Sequence, residues 1–334
     1  MKKFISTSLI TLSLLSSLSA AAYRVEPINY GNFDRWVTRN IKESAVIGGN
    51  SKTLYEVGPT ATVNGNSAYT NRGGSPWATS NVLAKVSGVT KGSNAVYPEN
   101  RPGRGKCARL TSQMEKVKVL GLINMNVMVA GSMFLGHMIE PITSTKNPYS
   151  KMEMGIPYTK RPAALVLDYK VDMPAANTRV KSSGFGSQKT LPGRDNAVVF
   201  VLLQRRWEDA KGNIHARRVA GGSEKFRSSS PWVNGHAIKL VYGNPAGKPG
   251  YDSSTLALRS GSNAYYARNS KGRMVPVIEE GYDDATATPT HAIVMISAGN
   301  RMWALPVCRS VSTMSVSVSD ARHNKRPHAS VVII

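Results

Sequence analysis

Three sets of residues in this 334-residue chain could do chemistry. Carboxylates are the first. Cleaving a glycosidic bond takes two of them facing each other across a cleft, about 5 to 10 Å apart. Glu208 and Asp209 are adjacent, so on an extended chain they point to opposite sides, beside a turn, and read as solvated hairpin residues. That leaves Glu43 and Asp168 as the pair to nominate. The second set is nucleophiles and metal ligands. Gly184-Phe185-Gly186-Ser187 lacks the strand, turn and helix of a nucleophile elbow, and Gly103-Arg104-Gly105 is a loop rather than a phosphate cradle. The six histidines show no close metal-ligand spacing. Two cysteines, Cys107 and Cys308, exclude a Cys-based zinc site and allow one bridge. Asp283-Asp284 could offer oxygens to calcium, but two adjacent aspartates assign no metal, and no cofactor is expected. The third set is flat aromatics near hydrogen-bonding side chains. Trp77 stands in Gly74-Ser75-Pro76-Trp77-Ala78-Thr79-Ser80-Asn81, a breaker-rich context without periodic neighbours, where it is either a core anchor or a binding platform.

These residues must be positioned by strands. Gly155 to Lys170 is an entry loop punctuated by Pro157 and Pro162 and then a half-buried antiparallel strand, with Leu165, Leu167 and Tyr169 on one face and Val166, Asp168 and Lys170 on the other. Asn196 to Trp207 is apolar on both sides of its alternation, as in a sandwich interior. It is followed by the turn Asp209-Ala210-Lys211-Gly212-Asn213 and a returning strand, Ile214 to Val219. His291 to Ala298 is a further buried strand. Tyr30 to Ser44 suits a short helix or a turn and strand, and Ile47 to Gly74 is loop-rich with hairpin pieces such as Thr53 to Val57. Val117 to Met138 is the most apolar stretch, but glycines and asparagines interrupt it. It reads as two buried strands, roughly Lys116 to Met128 and Gly131 to Ile139, and not as a membrane span. Val180 to Arg194 is a polar loop. Ser228 to Arg273 is rich in Ser, Gly, Asn and Tyr and reads as loops and short strands carrying Trp232, Tyr242, Tyr251, Tyr265 and Tyr266. No helix is convincing, and strands with Gly/Pro turns at regular spacing predict an all-β antiparallel sandwich of jelly-roll type.

Residues 1–22 have the pattern of a signal peptide: Lys2 and Lys3, an apolar run from Phe4 to Leu18, and Ala20-Ala21-Ala22 as the cleavage site. The mature protein is therefore expected to be exported, with no transmembrane segment and no nucleic-acid partner. A formal charge of +23 favours acidic partners such as anionic polysaccharide. The basic residues are scattered, however, and a solvated surface explains them as well.

Several motifs follow one another in a recognisable order: Phe33-Asp34-Arg35-Trp36 with Arg39 and Ile41-Lys42-Glu43-Ser44; Ile47-Gly48-Gly49-Asn50; Ser75 to Asn81; Ala108-Arg109-Leu110-Thr111; Ala130-Gly131-Ser132 with Phe134 and Gly136; Gly155 to Lys170; Asp195 to Leu203; and Pro289 to Val294. From about Tyr30 to Leu305 the chain resembles the putative carbohydrate metabolism domain of Bacteroidetes, whose β-sandwich is similar to jelly-roll carbohydrate-binding modules. The resemblance implies a domain over residues 23–305 that binds an oligo- or polysaccharide without covalent chemistry of its own. Trp36, Arg39, Glu43, Trp77, Asn81, Arg109 and Asp168, which lie in those motifs, are the implied ligand-binding set. The alternatives are a glycoside hydrolase using Glu43 and Asp168, and a basic surface adhesin for anionic polysaccharide. Residues 306–334 depart from the family pattern and read as a divergent or frame-altered tail, which would leave one sheet position poorly filled.

Overall fold

The computed structural model describes residues 26–119, 123–144, 147–175, 177–181, 189–299, 313–317 and 332–333. The expected leader, residues 1–22, therefore lies outside the described residues, as does Cys308. The all-β expectation holds: the only α-helix among the described residues is Ser253–Leu256, joined by three short 3₁₀ turns.

Two large sheets carry the fold. In the first, Ala164–Asp172 is central, flanked on one side by Ser230–Lys239 and on the other by Thr313–Ser317 and Val332–Ile333. Thr313–Ser317 in turn pairs with Lys106–Val119, so it occupies a position between two long strands. This strand belongs to the tail that was expected to leave one sheet position poorly filled; most of the rest of 306–334 lies outside the described residues.

In the second sheet the ladder runs His291–Ser297, Ala197–Glu208, Ile214–Phe226, Met274–Tyr282, Tyr266–Arg268, Met152–Met154 and Ser132–Met138. Ser132–Met138 also pairs with His291–Ser297, so these seven strands close into a barrel. The closure goes beyond the expected jelly-roll sandwich of two open sheets.

It also explains why Ala197–Glu208 and His291–Ser297 are apolar on both faces. Val199, Val201, Val294 and Ile296 pack into the core against Leu165, Leu167 and Val171 of the first sheet. Their alternating neighbours Phe200, Leu202, Ile293 and Met295 point into the barrel, among Phe134, Met152 and Met154. Strand alternation thus delivers one row of side chains to each of two cores.

Other elements differ from the sequence reading. The expected strand Lys116 to Met128 is instead shared between the two arms of a hairpin, Lys106–Val119 and Ile123–Ala130. Tyr30 to Ser44 takes the second of its two readings, a turn and then the strand Trp36–Lys42, which pairs antiparallel with Ser51–Val57. The outer face of Ala164–Asp172 is covered as well, with Val166 and Asp168 both buried. Ser230–Lys239 is a ten-residue strand, longer than the short strands expected between loops there. Its pairing slips at Leu167/Tyr169 and again at Tyr169/Val171, and such bulges erase the alternation that would reveal it.

Candidate functional site

Most of the seven expected ligand-binding residues are inside the protein. The Trp36 indole is buried and donates from Nε1 to the carbonyl of Phe33 at 2.6 Å. Trp77 is 1% exposed, meets Phe33 edge-on at 5.2 Å and donates to the Asn29 carbonyl, so it offers no open face to a ring. Asn81 donates to the carbonyls of Tyr55 and Val96 and accepts from the backbone N–H groups of Ala95 and Val96, using its whole amide. Glu43 accepts from Gly92 N–H at 3.1 Å and lies 3.6 Å from the Lys91 ammonium. Asp168 is fully buried, bonded to Arg101 at 2.7 Å and to Gly235 N–H at 2.8 Å. Arg101 in turn stacks over Trp232 at 3.9 Å. Arg39 joins Glu56 (2.8 Å) and Glu140 (2.6 Å) in a buried cluster, beside the ring of Tyr69. Burial, with Glu140 adding to it, pushes the Glu56 carboxyl up to about 8 against the pull of Arg39. Arg109 alone keeps a partly exposed side chain, paired with Glu99 at 2.8 Å over Tyr97. Glu43 and Asp168 share none of these partners, so the nominated carboxylate pair is not brought together by them.

The arrangement that can receive a ligand lies at the barrel. The pairing of Ile214–Phe226 with Met274–Tyr282 ends at Arg218–Tyr282, and residues 252–265 pack beside the strand that continues. Asp252 caps the short helix by accepting from Ser254 N–H at 3.0 Å. Thr255 and Ser223 share a hydroxyl bond of 2.7 Å, and Leu256 lies against Gly221. A Cβ at Gly221 would stand 3.2 Å from the Leu256 side chain, so the glycine permits this close approach.

Between this segment and the barrel interior is a cleft of about 350 Å³, at the lower end of the range for small-ligand sites. Phe200, Met295, Val198 and Met154 form its apolar wall; Tyr149, Tyr265, Asn263, Arg259 and a run of serines supply the polar groups. Among the described residues lining it there is no carboxylate.

Charge in the barrel holds the cleft in shape. The Glu279 side chain is buried and takes a forked bond from Arg218, at 2.5 and 2.7 Å, and another from the Gln204 amide at 2.6 Å. It also accepts from the backbone N–H of Arg259 at 2.7 Å, which fixes the start of the cleft wall. Arg206 donates to Gln204 and to the Met154 carbonyl, both at 2.8 Å, and burial lowers its pKa to about 10. The Arg259 guanidinium lies over Tyr265 at 5.0 Å and near Phe200 at 6.0 Å, and bonds the Tyr149 hydroxyl. Tyr265 is 2% exposed and its hydroxyl has no hydrogen-bond partner.

Tyr265 stood in the aromatic list drawn from the sequence, but Arg259, Asn263 and Tyr149 did not. The available signal was Asp252 before Ser253-Ser254-Thr255-Leu256, an N-cap pattern that marks an ordered segment in an otherwise loop-like stretch.

Residues 51–216 match the family model described as Putative carbohydrate metabolism domain. The chain belongs to that family. The family match takes in Ser51–Val57 and Ala61–Asn64, the central strand of the first sheet and the first strand of the Ala197–Glu208 hairpin. No curated protein is significantly similar in sequence. Among solved structures, a putative glycoside hydrolase from Bacteroides thetaiotaomicron is 11% identical with a TM-score of 0.41, over 80% of this chain and 73% of that one. A putative glycoside hydrolase from Bacteroides vulgatus is 12% identical with a TM-score of 0.38, over 88% of this chain and 93% of that one. Likeness at that level carries no reaction across. No helix among the described residues is long and apolar enough to cross a membrane.

Proposed function

We propose that this member of the family is an exported carbohydrate-binding protein that holds a saccharide in the barrel cleft without cleaving it. The observation that carries the reading is the composition of the cleft wall. Phe200, Tyr149 and Tyr265 line the cleft together with hydroxyls, one amide and one guanidinium, residue types that suit the C–H face and the hydroxyls of a pyranose. Hydrolysis, the alternative, needs an acid and a second carboxylate at the bond, and no carboxylate lines the cleft among the described residues. Glu279, close behind the wall, has its oxygens occupied by Arg218, Gln204 and the Arg259 backbone. Of the motif residues, Trp36, Trp77, Asn81 and Asp168 then serve to hold the fold. The test is a calorimetric titration of an oligosaccharide panel, run beside an assay for new reducing ends. Binding that is weakened by Asn263→Ala, with no release, supports the reading; release of reducing ends by the purified protein would overturn it.

A further inference from the structure

Resting on that proposed sugar-binding reading, we infer that the saccharide taken by the cleft is acidic, carrying a carboxylate or a sulfate ester that Arg259 reads. Arg259 is the single charged residue among those lining the cleft. Other buried arginines are matched by acid inside the protein: Arg39 by Glu56 and Glu140, Arg101 by Asp168, Arg218 by Glu279. Arg206 spends its donors on Gln204 and a backbone carbonyl. Arg259 has no carboxylate within ion-pair distance among the described residues; its guanidinium rests on the Tyr265 and Phe200 rings and bonds one phenol. A guanidinium carries five donors in a planar fork matched to carboxylate and to tetrahedral oxyanions, and the Tyr149 bond takes up little of that capacity.

Tyr265 supplies an independent second observation. Its hydroxyl is buried in the same wall and has no protein partner. Leaving a hydroxyl so placed without a partner is costly, and an anionic oxygen held by Arg259 is an acceptor that would satisfy it. The formal charge of +23 on the chain would draw acidic polymers towards such a site, though it would do the same for any basic patch. The test therefore has to separate the cleft from the surface.

The experiment is affinity electrophoresis of the purified protein through gels holding polygalacturonate, alginate or chondroitin sulfate, against neutral galactan, glucan, mannan and xylan. Wild type is compared with Arg259→Gln, Arg259→Lys, Tyr265→Phe and the exposed control Arg227→Gln, each first shown to melt as wild type does. The expected result is retention by one or more acidic polymers, weakened at least tenfold by Arg259→Gln and less by Arg259→Lys and Tyr265→Phe, and kept by Arg227→Gln. Uronate and sulfate gels distinguish the two sources of charge. Acidic retention that Arg259→Gln leaves intact would assign it to the surface and overturn the inference. Retention by neutral polymers alone would overturn it while sparing the sugar-binding reading, and retention by none would remove both.

Discussion

The guanidinium of Arg259 sits 5.0 Å above the ring of Tyr265, whose buried hydroxyl has no hydrogen-bond partner. Folding leaves such a hydroxyl unsatisfied only at a cost. Tyr265→Phe removes the hydroxyl and keeps the ring. Thermal stability should be unchanged or slightly higher, because nothing in the fold bonds that oxygen. Ligand affinity should fall about three- to tenfold, the net worth of one hydrogen bond. A fall in stability with unchanged binding would place the hydroxyl in the fold and not in the site.

Glu56 gives a pH signature elsewhere in the molecule. Burial raises its pKa in the folded protein to about 8 from an ordinary 4.5. Between those values the folded state keeps a proton that the unfolded chain has released, so this group's contribution makes stability fall as pH rises through the window, by at most about 1.4 kcal/mol per pH unit. Glu56→Gln abolishes the titration. In urea denaturation at pH 5, 6.5 and 8, the stability of Glu56→Gln relative to wild type should improve with each step. A constant difference would mean that Arg39, 2.8 Å away, keeps the carboxylate ionised throughout.

Trp77→Ala should behave as a core truncation. The indole is enclosed, packs on Phe33 and donates to the Asn29 carbonyl, so its loss should cost about 3–5 kcal/mol of stability. Saccharide affinity of the molecules that remain folded should match wild type. Loss of binding without loss of stability would return Trp77 to the ligand.

How much of this was legible beforehand depends on where each residue's partners lie in the chain. The hairpin from Ala197–Glu208 into Ile214–Phe226 was readable because its turn is local: Gly212 takes a positive φ of 87°, and Asp209 bonds the backbone N–H groups of Lys211 and Asn213. The two-faced burial of His291–Ser297 was readable from its unbroken apolar run. Barrel closure was not, because it depends on Ser132–Met138 pairing with a strand more than 150 residues later. Trp77 and Asp168 drew attention for a sound chemical reason, the capacity to stack or to hydrogen bond. Their satisfaction by Asn29 and by Arg101 with Gly235 comes from distant segments that no local spacing reveals. Arg259 lay hidden for the converse reason: among the described residues no carboxylate forms an ion pair with its guanidinium, which only the assembled neighbourhood shows.

The most direct test of the central claim is the paired titration and reducing-end assay on wild type and Asn263→Ala. The account predicts saturable binding of a saccharide by wild type, a weakened isotherm for Asn263→Ala, and no new reducing ends from either. Appearance of reducing ends in proportion to wild-type protein, or an isotherm identical in both, would contradict it.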